Sequence, residues 1–251
     1  MIRIIPIASG STGNCMYIEI DGKALIIDLG VTAKNLVSAL SRNSIELESI
    51  SSVLITHSHS DHVKGLEPCM NRLKAEIYMS PATKETICCS MAKELQYNSR
   101  TEITEGLWVT SFRTWHDCPG SVGYIIETAD SKIGYATDLG KVTDEILSTL
   151  MGSDCVVIEA NHDVDMLKQG PYPVFLKRRI LSDNGHLSNE CCAETVSKLA
   201  ENGTRHFLLA HLSRENNTPE TALSTVLKST ADNGVTIDVL APWSSDAITF
   251  E

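Results

Sequence analysis

The 251-residue sequence has no Cys-x-x-Cys pair, which argues against a thiolate zinc knuckle. It has no uninterrupted apolar run near the roughly 20 residues that a membrane-crossing helix needs. Residues 1–10 lack a basic segment followed by an apolar one, so a reducing, cytoplasmic setting is expected. Positive charge is scarce: 21 Lys+Arg face 32 Asp+Glu, a formal net charge of -11. That balance argues against a uniformly basic nucleic-acid coat and repels a polyanion at long range, but leaves room for a local positive site. Low-complexity tracts, heavily charged tails and solenoid-type repeats are missing as well, and one domain over 1–251 is the expectation. Of the eight cysteines, Cys88-Cys89 and Cys191-Cys192 are adjacent pairs in a long chain, which suits buried, inert thiols better than a disulfide framework.

What is present is enough apolar material, 42% of residues, to bury a sizeable core. Apolar stretches at 2–8, 15–20 and 23–27 read as strands, the first two split by the turn-forming Ser9-Gly10-Ser11-Thr12-Gly13-Asn14. Further strands are predicted over 50–56, 76–79, 107–114, 122–128, 132–137, 155–159, 207–210 and 235–240, with helices over 36–40, 66–73, 144–151, 189–201 and 219–229. Pro81 suits a helix start, and the few β-branched residues of 82–95 predict that this helix continues. Antiparallel-type strands early and helix–strand units late predict sheets with helices on their outer faces.

The segment Thr56-His57-Ser58-His59-Ser60-Asp61-His62 places four metal-competent side chains in six positions directly after an apolar strand. His57 and His59, two apart, project to one side of an extended chain, and the following turn can swing Asp61 and His62 toward a second point nearby. Imidazole and carboxylate without thiolate suit Zn, Mn or Fe in a catalytic site; the plain alternative is a polar loop holding three histidines. His116, Asp138 and His211 also follow strand ends. Each alone reads as a surface or satisfied residue; their shared placement makes them candidate ligands.

An H-x-H-x-D-H loop followed in order by a histidine, an aspartate and a histidine resembles the metallo-β-lactamase-fold hydrolases, over nearly the whole chain. The segments 8–15, 159–163 (Glu-Ala-Asn-His-Asp), 185–189 (Gly-His-Leu-Ser-Asn) and 211–217 (His-Leu-Ser-Arg-Glu-Asn-Asn) resemble the YycJ/WalJ-like branch, regarded as DNA exonucleases or related phosphodiesterases. The resemblance implies an α/β (α+β) fold, a four-layer αββα sandwich with two divalent metals at one edge. It implies that His57, His59 and His116 hold the first metal, that Asp61, His62 and His211 hold the second, that Asp138 bridges, and that Asp28 supports the metal loop. It further implies a metal-dependent hydrolase, a phosphodiesterase or DNA exonuclease using a dinuclear metal-activated hydroxide.

Two divalent ions carry roughly +4 against about -2 from Asp61 and Asp138 and -1 from a hydroxide, so the core keeps about one positive charge and attracts a phosphodiester. Asp61 is also a candidate proton acceptor. His186 resembles the leaving-group histidine of related tRNA-processing nucleases and Glu159 the glutamate that orients it; alternatively His186 is a loop residue ahead of a capped helix. His162 is a candidate substrate contact or a structural hydrogen-bonding residue. Lys177-Arg178-Arg179, the strongest basic run, suits flanking phosphates or is a solvated helix face. Lys64, and a backbone nest in 9–14, are further candidate phosphate contacts.

Only 21 residues separate His116 from Asp138 and 72 separate Asp138 from His211. Those spacings leave no room for the long arm of tRNA 3′-processing enzymes or for the large inserted domain of the RNA-cleaving branch, which leaves a compact phosphodiesterase; DNA as its substrate is what the YycJ/WalJ-like resemblance implies. The rivals are hydrolysis of a carboxylic ester, thioester or lactam on the same metals, and a non-enzymatic, metal-stabilised binding module.

Overall fold

Alternating side chains set the layers. In a computed structural model, which describes residues 1–230, 234–244 and 246–250, Ile2 and Ile4 enter one apolar cluster while Ile5 and Ile7 enter another. The switch follows the two-residue period of a strand.

The first half of the chain supplies β1 (Ile2–Ala8), β2 (Cys15–Ile20), β3 (Lys23–Ile27), α1 (Ala33–Arg42), β4 (Ile50–Ile55), α2 (Ser60–Val63), α3 (Leu66–Met70), β5 (Glu76–Met79), α4 (Pro81–Ile87) and β6 (Lys93–Glu94). The second half adds β7 (Arg100–Thr104), β8 (Leu107–Arg113), β9 (Val122–Glu127), β10 (Lys132–Ala136), α5 (Asp144–Leu150), β11 (Cys155–Glu159), α6 (Val164–Gln169), α7 (Val174–Ile180), α8 (Asn189–Glu201), β12 (His206–Ala210), α9 (Pro219–Thr230), β13 (Thr236–Val239) and β14 (Ile248–Phe250). One sheet runs β14-β1-β2-β3-β4-β5-β6 and the other β13-β12-β11-β10-β9-β8-β7.

Three apolar clusters define four layers. Ile4, Ile18, Leu25, Leu54, Val109, Tyr124, Val157 and Leu208 pack between the sheets. Ile26, Val53 and Ile77 face Leu36, Leu40 and Cys69 on the outside of the first sheet. Val156, Phe207 and Leu209 face Ile146, Val196, Leu199 and Val226 on the outside of the second. The predicted αββα arrangement is therefore present, and among the described residues no helix is long and apolar enough to cross a membrane.

Strand direction gathers the site. β3, β4 and β5 run parallel, and so do β10, β11, β12 and β13. β1 and β8 each lie two antiparallel steps from a member of these sets, so they point the same way within their sheets. The carboxyl ends of β1, β3, β4, β8, β10, β11 and β12 all lead into residues of the site described below, the usual edge for a ligand in such sheets.

Sequence and structure part in one long element. The helix predicted through 82–95 stops at Cys88, whose backbone is left-handed (φ 54°), and the chain returns as β6 beside β5. Strand pairing, with Leu95 N–H donating to Met79 O at 2.9 Å and Lys84 on Glu94 at 3.1 Å, overrides helix propensity there. The short elements α2, α6, β7 and β14 are not among those expected from the sequence, and α7 bears out the helix-face alternative for 177–179.

Candidate metal centre

At the end of β4, Thr56 N–H donates to Asp28 Oδ1 (2.8 Å) and its hydroxyl to Asp28 Oδ2 (2.8 Å), which fixes where the chain leaves the sheet. Asp28, wholly buried, also holds His62 Nδ1 at 2.7 Å. The single turn of α2 then folds Asp61 and His62 back toward the sheet, with His62 N–H on His59 O at 2.9 Å. Gly30 permits this approach: a Cβ there would stand 1.6 Å from Asp61 O.

His116 follows β8 and turns its Nε2 to within 3.3 Å of His59 Nδ1. Its Nδ1 lies 3.1 Å from Gly185 O. Asp138 and His211 follow β10 and β12, and both, like Asp28, adopt left-handed backbone (φ 55°, 57° and 60°). Such conformations are uncommon outside glycine and concentrate where function constrains the chain.

The donor atoms fall into compact groups. His57, His59 and His116 can each offer one nitrogen with all three atoms mutually within 4.8 Å, and Asp61, His62 and His211 form a second such set. Asp138 joins both neighbourhoods: Oδ2 is 3.4 Å from His62 Nε2, and Oδ1 is 3.8 Å from His116 Nε2 and 3.6 Å from His211 Nδ1.

The residues fit divalent ions on two observations. Among the described residues, His57 Nε2, Asp138 Oδ2 and His211 Nε2 are buried without a hydrogen-bond partner, a costly condition unless an ion satisfies them. The local field also favours positive charge. Burial works against it, yet the Asp28 and Asp138 carboxylates push His62 up to about 8. Burial likewise opposes ionisation of Asp138, yet the His211 and His62 charges hold it below the usual carboxylate range. Burial, reinforced by the neighbouring imidazoles, pushes His57 well down, which suits a neutral nitrogen donor.

His186 sits two residues before Ser188, whose hydroxyl accepts Cys191 N–H and caps α8. Its Nδ1 meets Glu159 Oε1 at 2.7 Å. Glu159, at the end of β11, is fully buried; its Oε2 accepts Leu139 N–H (3.0 Å) and Leu187 N–H (3.1 Å), and its Oε1 also lies 2.8 Å from His211 Nδ1. Burial lowers the His186 pKa, but the Glu159 charge and hydrogen bond prevail and raise it.

Other candidates lie elsewhere. His162 is buried outside these groups, both ring nitrogens without hydrogen-bond partners among the described residues, and burial pushes it down to about 4. Lys177 Nζ donates to Lys168 O (2.7 Å) and Arg179 pairs with Asp117, leaving Arg178 exposed. The cysteines are free. Two neighbours were missed in the sequence. Asn14 Nδ2 lies 3.2 Å from Asp61 Oδ2 and 2.9 Å from His62 Nε2, and Asp117 Oδ1 is 3.6 Å from His116 Nε2. Asn14 closes the glycine-serine loop and Asp117 follows a candidate ligand, but neither position alone signals contact. Beside His116 a cavity of about 470 Å³ is walled by Trp115, Arg113 and Asn184.

An αββα fold carrying this histidine–aspartate cluster at its sheet edge defines a metal-dependent hydrolase of the metallo-β-lactamase type. The chain belongs to the beta-lactamase superfamily, whose domain profile matches residues 26–212. It is 33% identical over 234 residues to exodeoxyribonuclease YycJ of Bacillus anthracis, covering 91% of this chain and 89% of that one. It is 35% identical over 242 residues to exodeoxyribonuclease WalJ of Streptococcus pneumoniae, covering 92% and 90%. Its fold is similar to that of the metallo-beta-lactamase fold protein YhfI of Bacillus subtilis, with TM-score 0.76, 14% identity and 99% and 100% of the two chains covered.

Proposed function

We propose that this protein is a two-metal phosphodiesterase that releases nucleotides from DNA. His57, His59 and His116 hold one ion, Asp61, His62 and His211 hold the other, and Asp138 serves both. When bound, these divalent ions, Zn, Mn or Fe, supply Lewis acidity toward a phosphoryl oxygen and make water acidic enough to attack near neutral pH.

The observation that carries the reading is the His186–Glu159 pair. With Nδ1 fixed on a carboxylate that is itself clamped by two backbone N–H groups, His186 keeps Nε2 for proton delivery. A departing alkoxide of a phosphodiester needs that proton, whereas the thiolate of a thioester leaves without it. The side chains of His59, Asp61 and His186 are 34%, 24% and 19% exposed, so the cluster opens to solvent as a catalytic site does and a closed structural metal site does not. Trp115 at the cavity wall is 46% exposed and carries Lys141 Nζ 4.0 Å from its ring centroid, so an aromatic ring and a cation stand together beside the site, as nucleic-acid grooves combine them. The exodeoxyribonuclease names of the two relatives support DNA as the substrate.

The test is release of nucleotides from end-labelled single- and double-stranded DNA by protein loaded with Mn or Zn. Turnover of a thioester or lactam with no phosphodiester cleavage across metals rejects the reading. A second expectation concerns Asp28. Because it orients His62, Asp28→Asn is expected to weaken divalent-ion affinity roughly 10- to 100-fold, measured by metal titration, while the circular dichroism spectrum stays that of the folded protein.

A further inference from the structure

We propose that Lys64, Thr12 and Arg214 form an anion subsite that grips a neighbouring phosphate of the substrate strand; this rests on the phosphodiesterase reading above. Lys64 Nζ donates to Thr12 O at 2.5 Å, and Arg214 Nη2 donates to Thr12 Oγ1 at 2.9 Å. All three residues are exposed. The two cations come from distant parts of the chain, and each lies three residues beyond a proposed ligand, Asp61 or His211. Among the described residues no carboxylate lies within 4 Å of either, although the sequence holds 32 Asp+Glu. Two like charges brought to one residue in an acidic chain, without counter-ions, are placed for an anion rather than for stability.

The loop beneath them is fixed relative to the metal ligands. Asn14 N–H donates to Asp61 O (2.8 Å), its side chain reaches Asp61 and His62, and Ser9 Oγ accepts His211 N–H (2.9 Å). The backbone is packed as tightly: at Gly13 (φ 156°) a Cβ would stand 2.5 Å from Gly30 O. Thr12 is two residues from Asn14, so their Cα atoms are at most about 7 Å apart. A strand whose reacting phosphate lies at the metal centre is thus within reach of Thr12 with its next phosphate. There the Arg214 guanidinium and Lys64 ammonium meet phosphate oxygens without reading base identity. In the Lys177-Arg178-Arg179 run, by contrast, Arg179 is paired with the Asp117 carboxylate.

The test is fluorescence anisotropy of a cleavage-resistant phosphorothioate oligodeoxynucleotide on the Mn-loaded full-length protein, across a salt series. Lys64→Gln and Arg214→Gln are each expected to weaken binding roughly 3- to 10-fold and to make the slope of log K against log salt shallower by about 0.7 per cation removed. Lys64→Arg restores both quantities, and Lys228→Gln on the exposed face of α9 leaves both unchanged. The proposal is overturned if the double variant binds with wild-type affinity and slope, or if its weakening is matched by loss of bound Mn. Salt-dependent binding by a wild-type protein that cleaves no phosphodiester leaves the subsite standing and rejects the proposed function. DNA cleavage with an unaltered double variant does the reverse.

Discussion

Asp138→Ala is expected to remove metal-dependent turnover by a factor of about 1,000 or more, which corresponds to roughly 4 kcal/mol of transition-state stabilisation. Among the described residues Asp138 is the one carboxylate that approaches both histidine sets, at 3.4 Å from His62, 3.6 Å from His211 and 3.8 Å from His116. On the proposed assignment its loss would remove the ligand shared by the two ions, while Asp28 and Asp61 still face His62. The measurement is metal content per chain beside turnover of labelled DNA. Asp138→Asn separates charge from backbone geometry, because Asn adopts the left-handed conformation found at this position more readily than Ala. Both variants are expected to lose activity, with Asn retaining more thermal stability. An Ala variant that keeps two tightly bound ions and full activity rejects the shared-ligand assignment.

His186→Ala is expected to behave differently: metal content stays at the wild-type level while DNA turnover falls about 100- to 10,000-fold, the range that general acid catalysis supplies. The loss should nearly vanish on bis(p-nitrophenyl) phosphate, whose phenolate departs without a proton. Glu159 makes a useful contrast because its Oε1 touches both His186 and His211. Glu159→Gln is therefore expected to slow turnover and to weaken metal binding together. Loss of metal from the His186 variant, or an equal loss on both substrates, shows that this imidazole holds the ions instead of delivering a proton.

Much of this centre was legible before any fold was known. His57, His59, Asp61 and His62 are dense enough in sequence that their chemistry outweighs a polar-loop reading, and His116, Asp138 and His211 each follow a strongly apolar strand. Glu159 and His186 were legible only through resemblance, since a glutamate ending a strand and a histidine before a capped helix have many uses. The basic run 177–179 shows the opposite case. Its charge is plain in the sequence, but the pairing of Arg179 with Asp117 and of Lys177 with Lys168 O arises from where α7 packs. Helix propensity through 82–95 misled for a similar reason, because the unpaired edge of β5 competes for that chain and wins.

The sequence by itself determined the layer pattern, through two-residue alternation in the strands, and the donor set, through residue types whose chemistry does not depend on neighbours. It also determined the shortage of positive charge, which makes any DNA grip local and salt-sensitive. Only the tertiary structure decided which donors share an ion-sized space, and that Asn14 and Thr56 join Asp28 in bracing the cluster. The same holds for Lys64 and Arg214, which meet on Thr12 although 150 positions apart in the chain. The reason is physical: identity fixes what a side chain can bind, whereas its distance from another depends on strand direction, register and the backbone angles at Asp28, Asp138 and His211, which long-range packing sets.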